Sequence, residues 1–206
     1  RRQRQMCIRD SNGEAGELVL INGQPLTVNW ANAYIPAILE SWFPGCQGGT
    51  VIAETLFGEH NPGGKLTVTF PKSVGQIELN FPFKPGSHGA QPHSGPNGSG
   101  ATRVIGELYP FGFGLSYTTF AYSDLEVSPL QSNEGEYTIK VNVTNTGKRA
   151  GDEVVQLYVR DKVSSVITYD SQLRGFERVS LQPGETRQVT FSLKPEDLQI
   201  LDRNMN

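Results

Sequence analysis

Cysteine, methionine and tryptophan occur only twice each in these 206 residues, and histidine three times. The two cysteines, Cys7 and Cys46, stand at a spacing that matches no zinc or thiol-redox motif, so no metal or redox cofactor is expected. A disulfide between them satisfies the arithmetic, but the segment carrying Cys7 looks foreign to the fold and none is expected. Basic residues are not in excess. Eighteen Lys and Arg stand against 21 Asp and Glu, a net charge of −3, which leaves no clustered positive surface for a phosphate backbone and excludes nucleic acid as a partner. No apolar run approaches the ~18 residues of a membrane-spanning helix, so no membrane partner is expected.

What is plentiful is glycine and proline, 23 and 13 residues, which point to many turns and to β structure. The first 11 residues, RRQRQMCIRDS, carry four arginines without any hydrophobic period. No apolar h-region follows to make them a signal peptide. They resemble translated sequencing-adapter read-through, with a basic tail or transit remnant as alternatives, and are excluded from the fold reading.

Beyond them the chain divides by period. Glu17 to Ile21 is a short, nearly continuous apolar run closed by Asn22-Gly23, as in a strand of a parallel sheet covered on both faces. Asn29 to Tyr34 fits one helical turn before Pro36, and Ala37 to Phe43 fits either a strand or a buried helix. From Gly49 to Phe57 the spacing turns helical, with Val51, Ile52, Thr55 and Leu56 on one face and Gly58 as the stop. Leu66 to Phe70 reads as a strand closed by Pro71. Alternating elements of this kind suggest an α/β layer over residues 12–82. Between Pro82 and Gly106 no apolar period survives, which marks a long loop or linker. With the aromatic-rich stretch after it, this makes a connector over residues 83–119.

From Phe120 to Asn206 the period is two. Tyr137, Ile139, Val141 and Val143 alternate with polar residues, as do Val155, Leu157 and Val159, and Val189, Phe191 and Leu193. Turn signals at Asn145-Thr146-Gly147 and Gln182-Pro183-Gly184-Glu185 separate the runs. Half-buried antiparallel strands at this spacing form a β-sandwich. Tyr109 to Phe120 holds five aromatics and two glycines in twelve residues, too apolar for a free linker. Phe111, Tyr117 and Phe120 are therefore expected to anchor the sandwich to residues 13–82.

The residues that tempt a catalytic reading are few. Glu40, Glu54 and Glu59 are candidate acids, but Glu40 is read as a solvated or hydrogen-bonded structural carboxylate and Glu54 as a boundary or surface residue of its helix. His60 belongs to a turn. His88 and His93 lie in a loop without acidic or cysteine neighbours and are read as solvated, with a place near a sugar subsite as the functional alternative. Trp30, Trp42 and Tyr109 have faces that can stack on a sugar, although packing is favoured for each. Gly58 to Lys65 fails as a phosphate loop, because Glu59 stands where Gly is needed and Leu66 where Ser or Thr is needed. Asn97-Gly98-Ser99 and Asn142-Val143-Thr144 match the N-glycosylation sequon, a tripeptide common by chance.

Three stretches together carry a resemblance. They are Ile21 to Leu26 (INGQPL) with Trp30 and Ile35 to Gly49; Leu56 to Pro71 (LFGEHNPGGKLTVTFP) with Val74 to Ile77; and Tyr109 to Phe120 (YPFGFGLSYTTF) leading to Val141–Arg160 and Arg174-Gly175-Phe176. Their order resembles the C-terminal half of glycoside hydrolase family 3, of the β-glucosidase and β-xylosidase type. The resemblance implies an α+β chain: part of an α/β-sandwich domain followed by an immunoglobulin-like, fibronectin type III-like sandwich, shortened at both ends.

It also implies a parent enzyme acting on terminal β-linked glucose or xylose, exported to the periplasm or beyond the cell. The nucleophilic Asp would lie on an N-terminal barrel domain, and the acid/base Glu upstream of the INGQPL strand. No catalytic residue, metal ligand or cofactor is therefore assigned within these residues, and the substrate-binding residues stay open. The partners are a β-linked oligosaccharide and the barrel of the same protein. A non-catalytic carbohydrate-binding or spacer module is the alternative.

Overall fold

A computed structural model describes residues 6–7, 16–76, 79–84, 106–128 and 135–200. The apolar run after Glu17 forms a strand, β2 (Leu18–Leu20), and α1 (Asn29–Tyr34) leads into β3 (Ile38–Glu40), so Ala37–Phe43 is strand rather than helix. β2 and β3 pair in parallel, Leu18 opposite Ile38 and Leu20 opposite Glu40. On the other edge of β2, the backbone of Met6–Cys7 (β1) pairs antiparallel. A piece of the segment excluded from the fold reading thus adds a strand to the sheet.

α2 (Gly48–Leu56) ends at Gly58, whose φ of 76° is the left-handed conformation that glycine adopts without a Cβ penalty. Of its apolar stripe only Thr55 is buried, and Val51 stays open to solvent. The packed centre of this part is Leu18, Leu20, Leu26, Val28, Ala31 and Phe70, with Ile35, Ile38, Trp42 and Tyr109 partly buried around it.

The strand expected over Leu66–Phe70 is shorter than the pattern suggested. Only Phe70–Pro71 (β4) qualifies, paired with Glu107–Tyr109 (β5), and Pro71 belongs to the strand instead of closing it. Leu66 exchanges bonds with Phe113 and Gly112, but the ladder does not continue between these two contacts. Its partner segment explains this: Pro110 has no amide hydrogen, and Gly112 turns the chain with φ of 80°.

The alternating half folds as expected. β6 (Phe120–Ser128), β7 (Tyr137–Asn145) and β10 (Thr186–Leu193) form one antiparallel sheet in the order β10-β7-β6. β8 (Gly151–Val159) and β9 (Gln172–Leu181) form the facing pair. The inward phases of β7, β8, β9 and β10 build one core from Val141, Val143, Val155, Val179, Leu181 and Val189, with Phe120 and Phe191 packed on it, while β6 is exposed beyond Phe120. Asn145 closes this core at the end of β7. It is fully buried, donating to Arg149 O (2.7 Å) and Leu181 O (3.0 Å) and accepting from the Thr118 hydroxyl (2.7 Å) and Gly147 N (3.0 Å). An amide with all of its capacity used can be buried without penalty.

Candidate functional site

The two halves meet along the loop that follows α2. Asn61 donates to Ala150 O (2.9 Å) and accepts from the Ser116 hydroxyl and Tyr117 N (both 2.8 Å). Arg149 reaches back to Gly58 O (2.9 Å), and the Tyr117 hydroxyl donates to Thr55 O (2.8 Å). Two glycines are required by contact: a Cβ on Gly63 would stand 2.9 Å from Asp152 O, and one on Gly114 only 2.2 Å from Gly64 O. Of the three rings expected to anchor the halves, only Phe111 does so by packing; Tyr117 is 45% exposed and ties in through its hydroxyl. Phe111 stacks on Phe81 at 4.5 Å between centroids, and Phe81 meets Tyr158 edge-on. Phe120 instead belongs to the sandwich core, because its register opposite Asn145 turns it inward.

Beside this joint lies a cavity of about 550 Å³ lined by Phe81, Phe111, Phe113, Tyr158, Lys65 and Glu153 among others. Several of its polar groups already serve one another. Lys65 Nζ lies 3.1 Å from Glu153 Oε2 and donates to Gly114 O (2.9 Å), while the Tyr122 hydroxyl donates to Glu153 Oε1 (2.9 Å). Burial, then the neighbouring Glu153 charge and its hydrogen bond, hold the Tyr122 phenol proton well above its ordinary range. The Gln156 side chain donates to Gly112 O and accepts from the Tyr158 hydroxyl.

Glu40 accepts from Trp42 N (2.9 Å) and Asn22 Nδ2 (3.3 Å), and burial raises its pKa against the pull of those bonds. This is the structural role expected of it. Glu54 is half-buried on α2, and its carbonyl accepts from Glu59 N and His60 N in the turn that follows. Trp42 and Tyr109 pack against the α/β core. Trp30 does not: it is 56% exposed and tilts against Tyr34, itself 71% exposed, because α1 buries only Ala31. His88, His93, the Asn97 sequon and most of the Pro82–Gly106 loop lie outside the described residues. The Asn142 side chain is engaged by Asp124 and Gln188. Among the described residues no three His, Cys, Asp or Glu side chains converge as a metal site. No described helix is long and apolar enough to cross a membrane.

Sequence reading passed over Asn61, Lys65, Gln156 and Glu153. For Glu153 a signal existed: it occupies the phase of Val155 and Leu157, where an apolar residue belongs.

Comparison with known proteins fits this two-part layout. Residues 11–117 match the family model described as the glycosyl hydrolase family 3 C-terminal domain, and residues 153–206 match a fibronectin type III-like domain. The chain belongs to glycoside hydrolase family 3. A β-xylosidase of Formosa agariphila is 46% identical over 192 residues, covering 91% of this chain and 25% of the relative. A periplasmic β-glucosidase of Salmonella typhimurium is 41% identical over 206 residues, 95% of this chain and 26% of the relative. A solved β-glucosidase of Listeria innocua in complex with glucose superposes with a TM-score of 0.83 at 32% identity, covering 94% of this chain and 27% of that one. The family 3 chain thus spans about a quarter of the length of the relatives it matches.

Proposed function

We propose that these residues are a non-catalytic part of an exo-acting, retaining β-glycosidase that removes terminal β-linked glucose or xylose. The observation that carries this reading is the match to both family 3 regions in sequence order, together with relatives named as β-glucosidases and β-xylosidases. Retention requires two carboxyl groups roughly 5–5.5 Å apart across the scissile bond, one as nucleophile and one as acid and then base. The sites described above offer no such pair: Glu40 is held by Asn22 and Trp42, and Glu153 by Lys65 and Tyr122. The nucleophilic Asp and the acid/base Glu then belong to the remaining three quarters of the protein.

In this arrangement residues 12–82 back the catalytic cleft, residues 83–119 connect, and residues 120–206 brace the assembly. Export to the periplasm is part of the proposal, supported by the named location of the Salmonella relative. The test uses the 206-residue chain and the full-length protein side by side on aryl β-glucosides and β-xylosides. The full-length protein is expected to turn over and to release the β-anomer first by NMR, and the chain alone to match a blank. Turnover by the chain alone, lost on Glu40→Gln, refutes the proposal.

A further inference from the structure

The inward phase of β8 runs Glu153, Val155, Leu157, and Val155 is buried in the sandwich core. A carboxylate in that phase is costly unless it is paired and fully hydrogen-bonded. Here the partner comes from 88 residues earlier: Lys65, on the loop after α2, places its ammonium 3.1 Å from Glu153 Oε2. Both side chains are largely withdrawn from water, at 16% and 10% exposure. The second carboxylate oxygen takes the Tyr122 hydroxyl of β6, and the ammonium also binds Gly114 O of the connector. One carboxylate therefore ties together the α/β part, the connector and both sheets of the sandwich.

Other polar contacts at the joint, such as Asn61 to Ala150 O and Arg149 to Gly58 O, are exposed, where water can take the partner's place. The stack of Phe81 on Phe111 and its edge contact with Tyr158 are apolar and weakly directional, so small slides cost little. A buried ion pair with bonds to both carboxylate oxygens has one geometry, and moving it uncovers a charge. We propose that the Lys65–Glu153 pair, with Tyr122 as second donor, fixes the pose of the sandwich on the α/β part. Its contribution is to orientation more than to stability.

The experiment measures the distance between spin labels at Cys46, which is exposed in the α/β part, and at Thr190→Cys on the outer face of β10, in the 206-residue chain carrying Cys7→Ser. The parent chain is expected to give one narrow distance distribution. Lys65→Met/Glu153→Leu removes both charges, so no orphan charge remains and the chain should melt within a few degrees of the parent. Its distribution should be at least about twice as wide. A folded double variant with the parental distribution overturns the proposal, as does a parent chain that is already broad. If the double variant does not fold, Tyr122→Phe and Lys65→Gln are read the same way: broadening supports the latch, and two unchanged distributions overturn it.

Discussion

The α/β part and the sandwich differ most in how far each strand is supported by its neighbours. In the sandwich, β7 runs nine residues and is paired along its length with β10 on one side and, across a bulge, with β6 on the other. In the α/β part, β2 and β3 run three residues each and β4 only two. The core of the sandwich is closed between two facing sheets of long strands. That of the α/β part is open: Val51 on α2 is half-exposed, and Phe57 just beyond it is 85% exposed. Each antiparallel pair of the sandwich shares at least seven residue pairs, whereas the parallel pair of β2 and β3 shares three, so its strands are held by far fewer ladder bonds. The longer ladders thus enclose the sandwich core, although β6 stays open beyond Phe120, and leave the α/β part dependent on contacts at its edges.

A matched pair of substitutions gives the largest contrast. Leu181 and Leu18 are both 1% exposed, one in each core. Truncation to alanine costs about 2–5 kcal/mol, depending on how well the site can collapse. Leu181→Ala, in the enclosed sandwich, is expected near the top of that range at about 4 kcal/mol, and Leu18→Ala near the bottom at about 2 kcal/mol. Native-state hydrogen exchange of β7 and β2 amides reads each region separately. Equal costs would break the comparison.

Glycine replacements sharpen it at the joint. Gly114→Ala drives a methyl against the Gly64 carbonyl, a backbone atom that cannot swing aside, and about 1–3 kcal/mol is expected. Gly184→Ala, in the β9–β10 turn, meets nothing within 4 Å and suffers only its positive φ, about 1 kcal/mol. Denaturant titrations of the two variants should rank them in that order.

The smallest effect lies in pH dependence, where the regions carry opposite signs. Glu40 of the α/β part has a carboxyl pKa raised by burial, so the folded state holds its proton more tightly than the unfolded chain. Its contribution is most favourable at low pH and is lost as pH rises from the ordinary value of 4.5 through the raised one. Asp152 of the sandwich has its pKa lowered, first by the Ser180 hydroxyl and also by the bond and charge of Arg178. Its contribution is present above the ordinary value of 3.8 and is lost as pH falls through the lowered one. Melting curves between about pH 3 and pH 7 should show Glu40→Gln removing an acid-side gain and Asp152→Asn removing an acid-side loss. Shifts of the same sign in both variants would contradict these assignments.

Much of the architecture was legible in local pattern. The strict alternation from Tyr137 to Val143 recurs as β7, and the Asn22-Gly23 and Gly58 signals end their elements where expected. Leu66–Thr69 misled because strand-like alternation says nothing about the partner, and that partner is interrupted at Pro110 and Gly112. Trp30 misled in another way: an indole is apolar enough to predict packing, but a six-residue helix that buries only Ala31 leaves it uncovered. Of the chemistry, Glu40 was read as structural although its apolar surroundings hinted at catalysis, and its bonds to Asn22 and Trp42 give it that structural role; the roles of Asn61 and Lys65 were not legible.

The sequence by itself determined the division into an α/β part and a β-sandwich, three of the sandwich strands (β7, β8 and β10) and the family, because these rest on periodicity and on motifs local in the chain. Tertiary structure alone decided the polar and close-packed contacts of the joint. Asn61 against Ala150, Lys65 against Glu153 and Gly114 against Gly64 are partners from 50 to 89 residues apart. No local propensity records such distances: they exist only once both halves have folded and a buried carboxylate has found the cation that neutralises it.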